Sequence, residues 1–164
     1  MSVNKYLPHL LVLPEDEADS DLANVFLLHP QLNARSIQVL PYVGGWKAVI
    51  EKFTTNFIPT MRQYPNRWFV LLIDFDREEG RLDYVKKQIP DDVKDKVFVL
   101  GVLSNPEELR STLGKSFEAI GESLSANCAD NTDGLWGHDL LIHNKTELER
   151  MVSSVKPFLF NQVK

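Results

Sequence analysis

The sequence predicts an α/β fold with a mostly parallel sheet of about four strands and helices on both of its faces. Apolar segments of strand length alternate with segments whose apolar residues recur at helical spacing, in the order βαβαβαβα. Two apolar segments, 68–74 and 96–103, are continuous rather than alternating. Such runs are typical of strands that are buried on both faces of a parallel sheet.

The chain has 164 residues, 43% of them hydrophobic and 25% charged, which favours one globular domain over a disordered chain. No apolar run approaches the roughly 18–20 residues needed to span a bilayer. Acids follow the N-terminal apolar run where a signal peptide needs small residues, so we expect a cytoplasmic protein. The net charge of −5 excludes nucleic-acid binding through an overall basic field, so such binding would need a local patch, a cation or a partner.

The first strand is predicted at 9–13, and a helix follows it. Asp16, Glu17 and Asp19 are acids of the kind that occupy the first turn of a helix. Apolar residues then recur at i, i+4, i+7 and i+8, at Ala18, Leu22, Val25 and Phe26. The second strand is predicted at 36–40.

A glycine pair and two prolines divide the next segment. Gly44-Gly45 break the chain, and a helix follows with one apolar face, made of Trp46, Val49, Ile50, Phe53 and Phe57. We expect Pro59 to bend or end this helix, and the third strand to begin at Trp68 after Pro65.

The C-terminal half continues the alternation. A short helix is predicted at roughly 80–88, and Pro106, with acids behind it, marks the start of another. The segment 126–139 is rich in Asn, Asp and Gly, so it is predicted to be a loop that contains the single cysteine, Cys128. A last helix is predicted in 146–160, after an apolar run that is a candidate small strand, with Asn144 or Thr146 as its cap.

Acids follow two of the predicted strands, and these positions are the candidate site. Glu15 and Asp16 follow the first strand, and Asp74 and Asp76 follow the third. Ligands of parallel sheets collect outside the carboxyl ends of the strands. If the third strand stays extended for one more step, Asp74 and Asp76 point to the same side. Crowded carboxylates repel unless a cation joins them, and carboxylate oxygens are ligands that Mg²⁺ and Mn²⁺ prefer. The acids therefore predict a metal site that can activate water against a phosphodiester.

The same residues also have a purely structural interpretation. Asp16 is a suitable N-cap, and Glu17 and Asp19 are ordinary first-turn acids. Arg77 is placed to pair with Asp74 or with its neighbour Asp76.

The order and spacing of these motifs resemble a Toprim domain, the Rossmann-like fold of topoisomerases, primases and nucleases, over roughly residues 9–110. "VLPEDEAD" and "LLIDFDRE" stand where that family has an acid after the first strand and an Asp-x-Asp after the third. "VGGWKAVIEKF" and "SNPEELRSTL" are similar to segments of the Toprim domains of OLD-family (overcoming lysogenisation defect) nucleases. Leu13-Pro14 replaces the Glu-Gly pair of many Toprim sequences, which leaves the choice among Glu15, Asp16 and Glu17 open.

The resemblance implies one Toprim-like domain over 1–164, with a core at about 9–110 and a C-terminal extension at 111–164. It implies Mg²⁺ or Mn²⁺ as the cofactor, and Glu15, Asp74 and Asp76 as catalytic residues. The implied metal ligands are Glu15 or Asp16, Asp74, Asp76, and Glu107 or Glu108.

The activity that the resemblance implies is metal-dependent hydrolysis of phosphodiester bonds in nucleic acid, in DNA rather than RNA. The chain has no Gly-x-x-x-x-Gly-Lys-Ser/Thr loop, so an ATPase or DNA-recognition partner in defence or DNA processing would be a separate chain. One alternative is a non-catalytic Toprim-like binding subunit. Another is a receiver-like domain in which Asp74 accepts a phosphoryl group beside Ser104 and Lys145.

Overall fold

Four parallel strands form one sheet in the computed structural model, which describes residues 3–130, 132 and 134–160. The strands are β1 (His9–Pro14), β2 (Ile37–Val39), β3 (Arg67–Leu72) and β4 (Val97–Leu100), in the order β2-β1-β3-β4. The predicted α/β fold with a Rossmann-like parallel sheet is confirmed. Pro14 pairs with Leu72, so the carboxyl ends of β1 and β3 lie side by side.

Seven α-helices accompany the strands over the described residues. They are α1 (Glu17–Phe26), α2 (Trp46–Lys52), α3 (Ile58–Gln63), α4 (Arg81–Lys87), α5 (Pro106–Leu113), α6 (Phe117–Asp130) and α7 (Lys145–Leu159). None of the helices in this part of the chain has the length and apolar composition that a bilayer crossing requires.

Helices cover both faces of the sheet because side chains alternate along each strand. Helices α2, α3 and α4 cover the first face, and α1, α6 and α7 cover the second. The strand residues of the first face include Leu11, Leu13, Phe69 and Leu71. Those of the second face include Leu10, Val12, Val70 and Leu100. Helices α6 and α7 belong to the predicted C-terminal extension, so that segment supplies much of the second face's cover.

The predicted loop at 126–139 is wrong in its first part, because α6 continues to Asp130. Leu124 and Cys128, one helical turn apart, are both buried, and this packing outweighs the weak helix propensity of the Asn and Asp residues. Cys128 is therefore a core residue. Asn131 and Asp133, which belong to the same prediction, lie outside the described residues.

Two further local predictions are corrected. The helix that begins at Trp46 does not end at Pro59, because a π-helical turn (Phe53–Phe57) precedes α3 and places Pro59 in the first turn of that helix, where it is tolerated. The candidate small strand before the last helix is instead a 3₁₀ turn (Ile142–Asn144).

Asn144 does not cap the last helix with its side chain, because its amide binds the end of β4. Asn144 Oδ1 accepts from Gly101 N–H at 3.1 Å, and Asn144 Nδ2 donates to the Gly101 carbonyl at 2.9 Å. Gly101 also passes close to β3, since a Cβ there would lie 1.6 Å from the Ile73 carbonyl oxygen. Only glycine fits between the Ile73 carbonyl and the Asn144 amide. The hydrogen bonds of Asn144 fix the start of α7 to the carboxyl end of the sheet.

We expect Gly101→Ala to lower the free energy of unfolding by about 3 kcal/mol, because the methyl group cannot enter without moving the backbone of β3 or β4. Urea unfolding measures the loss. Gly80→Ala is the matched control, since Gly80 has a φ of −83° and a Cβ there meets nothing within 4 Å. A Gly101→Ala protein as stable as Gly80→Ala would contradict this close approach.

Candidate metal centre

Three carboxyl groups converge at the carboxyl ends of β1 and β3. They belong to Glu15, Asp19 and Asp74, each offers one oxygen, and these oxygens all lie within 4.8 Å of one another. All three residues are buried, with 9%, 1% and 6% of their surfaces exposed. We call this set the acid cluster.

Backbone contacts from two sides fix Glu15. Its N–H donates to the Leu72 carbonyl at 2.8 Å, which continues the pairing of β1 with β3. Its Oε2 accepts from the Asp74 N–H at 2.6 Å. The N–H groups of Gly44 and Gly45 donate to the Glu15 carbonyl at 2.7 and 3.3 Å. These glycines have φ values of +99° and +142°, which side chains disfavour, so this turn requires glycine.

Asp19 enters the cluster from the first turn of α1. Asp16 is the N-cap, as its structural interpretation predicted, and its Oδ1 accepts from the Asp19 N–H at 3.0 Å. Asp19 faces the interior, while Glu17 is exposed. The interpretation of Asp19 as an ordinary first-turn acid is therefore wrong. The sequence pattern itself indicates that Asp19 is buried. Leu22, Ala23 and Phe26 follow Asp19 at i+3, i+4 and i+7, so Asp19 belongs to the apolar stripe of the helix.

Asp74 points into the cluster because β3 remains paired with the chain after β4. The N–H of Ile73 donates to the Leu100 carbonyl at 3.0 Å, and that of Phe75 to the Val102 carbonyl at 3.1 Å. Ile73 and Phe75 belong to the core of the first face. Alternation then directs Asp74 to the second face, where α1 carries Asp19.

Asp76 lies outside the acid cluster because the backbone turns there. Asp76 and Arg77 have φ values of +48° and +57°, so the extended chain ends one residue too early for Asp76 to lie beside Asp74. The Asp76 carboxylate is half exposed and binds Arg81 at 2.7 Å. The same Arg81 nitrogen donates to the Asp74 carbonyl at 2.7 Å. Arg81, rather than Arg77, is thus the cation that pairs with the Asp-x-Asp segment.

The two predicted acids of the fourth strand end also lie apart from the cluster. Glu107 is exposed in the first turn of α5. The Glu108 carboxylate binds the Arg77 guanidinium at 2.6 Å, on the surface. The structure therefore brings together Glu15 and Asp74 from the predicted set and adds Asp19. It leaves Asp16, the N-cap of α1, outside the cluster, together with Asp76, Glu107 and Glu108.

Burial makes the acid cluster electrostatically unfavourable without a cation. Loss of solvent raises the pKa of Glu15 and raises the pKa of Asp74 to about 8. Loss of solvent, together with the nearby charge of Asp74, raises the pKa of Asp19 more strongly. With all three groups ionised, no described residue donates a hydrogen bond to either Asp19 oxygen or to Asp74 Oδ1. The cluster must hold protons or bind a cation.

The donor set fits a hard divalent cation. It consists of carboxylate oxygens alone, several of them unpaired, which is the chemistry that Mg²⁺ and Mn²⁺ prefer. Arg81 does not replace such an ion, since its guanidinium is held by Asp76 and the Asp74 carbonyl and stacks on Trp46, 4.4 Å from the ring centre. Glu15, Asp19 and Asp74 are the residues that would hold the metal.

Without metal, we expect Asp19→Asn to become progressively more stable than the wild type as the pH rises from 5 to 8. The native pKa values of Asp19 and Asp74 lie above their ordinary value of 3.8, so the folded wild type binds more protons than the unfolded chain in this range and loses stability as the pH rises. Each such proton contributes about 1.4 kcal/mol per pH unit. Urea unfolding in EDTA measures the difference.

Asp21→Asn is the matched control for this pH series, because Asp21 lies on the same helix and is exposed. We expect its stability relative to the wild type to stay constant from pH 5 to 8. A constant difference for Asp19→Asn as well would show that Asp19 is not a buried acid.

No family model, curated protein or solved structure matches the chain. The similarity to Toprim domains of OLD-family nucleases therefore stays a prediction from the order of the sequence motifs. The geometry of the acid cluster is the independent basis on which a function can be proposed.

Proposed function

We propose that the chain is a Mg²⁺- or Mn²⁺-dependent, nuclease-like protein that hydrolyses phosphodiester bonds in nucleic acid. The observation that supports this proposal is the acid cluster, in which three buried carboxyl groups lie at adjoining strand ends with several oxygens unpaired. Glu15, Asp19 and Asp74 are the proposed ligands. A bound divalent ion supplies a Lewis acid for a phosphate oxygen and lowers the pKa of a bound water.

The chain's own residues would hold this site rigidly. The Asp74 N–H orients the Glu15 carboxylate, and the Asp16 cap fixes the turn that carries Asp19. Arg81 binds the Asp74 carbonyl and Asp76, so we assign Asp76 to positioning of the β3 turn. These contacts restrict the oxygens to one arrangement, which favours an ion over free carboxylates.

The substrate class follows from charge. The chain has a net charge of −5, which repels a polyanion, so a nucleic-acid substrate would be held through the bound cation. We propose DNA as the substrate, with affinity and target choice supplied in part by an ATPase or DNA-recognition partner chain.

Nicking of supercoiled plasmid in Mn²⁺ tests the proposal. We expect Asp19→Asn and Asp74→Asn to reduce the rate at least about 100-fold, because each removes a carboxylate that holds the ion. Asp76→Asn should reduce the nicking rate by less than about tenfold, because Asp76 affects the cluster only through its contact with Arg81. Asp21→Asn is the control with an unchanged rate.

Equal rates in the wild type and Asp74→Asn would reject the nuclease proposal. Calorimetry with Mn²⁺ alone separates the two possible causes. Binding of Mn²⁺ by the wild type but not by Asp74→Asn, without nicking, would favour the non-catalytic binding subunit. If the wild type does not bind Mn²⁺, the acid cluster is not a metal site.

A receiver-like phospho-acceptor is the second candidate, and Ser104 is the observation that favours it. Ser104 follows β4 and is 3% exposed. Its carbonyl accepts from the Asp76 N–H at 3.1 Å, so Ser104 lies beside the turn after Asp74. A hydroxyl there could donate to a phosphoryl group on Asp74. Lys145, the third residue of that prediction, is exposed at the start of α7.

Incubation with acetyl phosphate and Mg²⁺, followed by intact-mass measurement, tests this candidate. A receiver would gain the mass of one phosphoryl group in the wild type, transferred from the acetyl carboxyl to Asp74, and Asp74→Asn would gain none. The nuclease proposal expects an unchanged mass in both proteins.

A further inference from the structure

A cavity of about 100 Å³ lies between the second face of the sheet and the helices that cover it. Its wall is almost entirely apolar. The lining includes Leu10, Val12, Ala23, Leu124, Met151 and Leu159, which come from β1, α1, α6 and α7. Packed interiors contain few voids of this size, so the cavity is a distinct feature of this layer.

One acidic side chain lines the cavity. Asp19 forms part of the lining, is 1% exposed, and neither of its oxygens has a hydrogen-bond partner within the described residues when it is ionised. Glu15 and Asp74, which do not line the cavity, lie beside Asp19 in the acid cluster. The cavity thus combines an apolar wall with one buried carboxyl group.

We propose that this cavity binds a small aliphatic monoamine, with its hydrocarbon chain against the apolar wall and its ammonium group at Asp19. This inference does not require the chain to be a nuclease. An ammonium group donates up to three hydrogen bonds and carries the positive charge that the acid cluster lacks. The binding of such an amine and of a metal at Asp19 would be mutually exclusive.

The cavity's size and charge set the ligand class. A cavity of about 150 Å³ accommodates benzene, which has six non-hydrogen atoms, so about 100 Å³ suits about four, as in n-propylamine. The Asp19 carboxyl in the lining, with Glu15 and Asp74 beside it, disfavours an anion. A neutral alcohol could fill the apolar part but would bring no positive charge to Asp19. A metal ion alone would leave the apolar part empty.

Methionine methyl groups report on the proposal in the unmodified protein. Met151 lines the cavity, whereas Met61 lies in the core of the first face. In EDTA, with the methionine methyl groups labelled with ¹³C, we expect n-propylamine to shift the Met151 signal in a saturable way and to leave the Met61 signal unchanged. Equal shifts of both signals, or none, would overturn the proposal.

Calorimetry with a series of probes separates the contribution of the hydrocarbon chain to binding from that of the ammonium group. Affinity should rise about fourfold per methylene from methylammonium to n-propylamine, because each added group is buried. Methylammonium and 1-propanol should each bind at least tenfold more weakly than n-propylamine. Asp19→Asn should abolish the preference for the amine over the alcohol. Equal affinities for n-propylamine and methylammonium, or for n-propylamine and 1-propanol, would overturn the proposal.

A cavity-filling variant supplies the last test. Ala23→Leu places three extra carbons in the cavity and should weaken n-propylamine binding at least tenfold, while Mn²⁺ binding persists. Ala48→Leu, on α2 at the other face, is the matched control and should bind the amine like the wild type. Undiminished amine binding by Ala23→Leu would contradict the proposal. If that variant does not fold, the Met151 and Met61 signals of the wild type decide the outcome.

Discussion

Burial of like charges is the constraint on which the rest of this structure depends. The carboxyl ends of β1 and β3 are adjacent because the strands pair in register up to Pro14 and Leu72. Glu15 and Asp74 extend from those ends, and Asp19 approaches from the first turn of α1. Burying three such groups together costs free energy that no described cation fully offsets. A fold that retains this arrangement must hold protons or a cation at these three groups.

The surroundings of the cluster are organised to keep its oxygens free. The strong donors nearby are directed to other groups, since Arg81 binds the Asp74 carbonyl and Asp76, and Arg77 binds Glu108. The two left-handed residues at the end of β3 are what separate Asp76 from Asp74. The result is a division between a buried set of acids without counterions and an exposed set with arginine partners.

Much of the fold was predictable from local pattern, but the membership of the site was only partly so. Continuous apolar runs predicted β3 and β4, and the strand ends predicted Glu15 and Asp74, which the structure brings together. Asp76 was misplaced because a left-handed turn by non-glycine residues has no clear sequence signature. Asp19 was missed because an acid in a first turn is usually explained by the helix dipole, although its position on the apolar stripe indicated burial.

The link between Asn144 and Gly101 has a practical consequence for dissecting the chain. It fastens a distant C-terminal helix to the rim of the sheet, and that helix also supplies Met151, Val155 and Leu159 to the interior. A fragment trimmed to the minimal motif-bearing stretch, residues 9–110, would expose to water the part of the second face that α6 and α7 cover. Expression boundaries drawn around the recognisable motifs alone would therefore yield an aggregating product, and a working fragment must extend through α7.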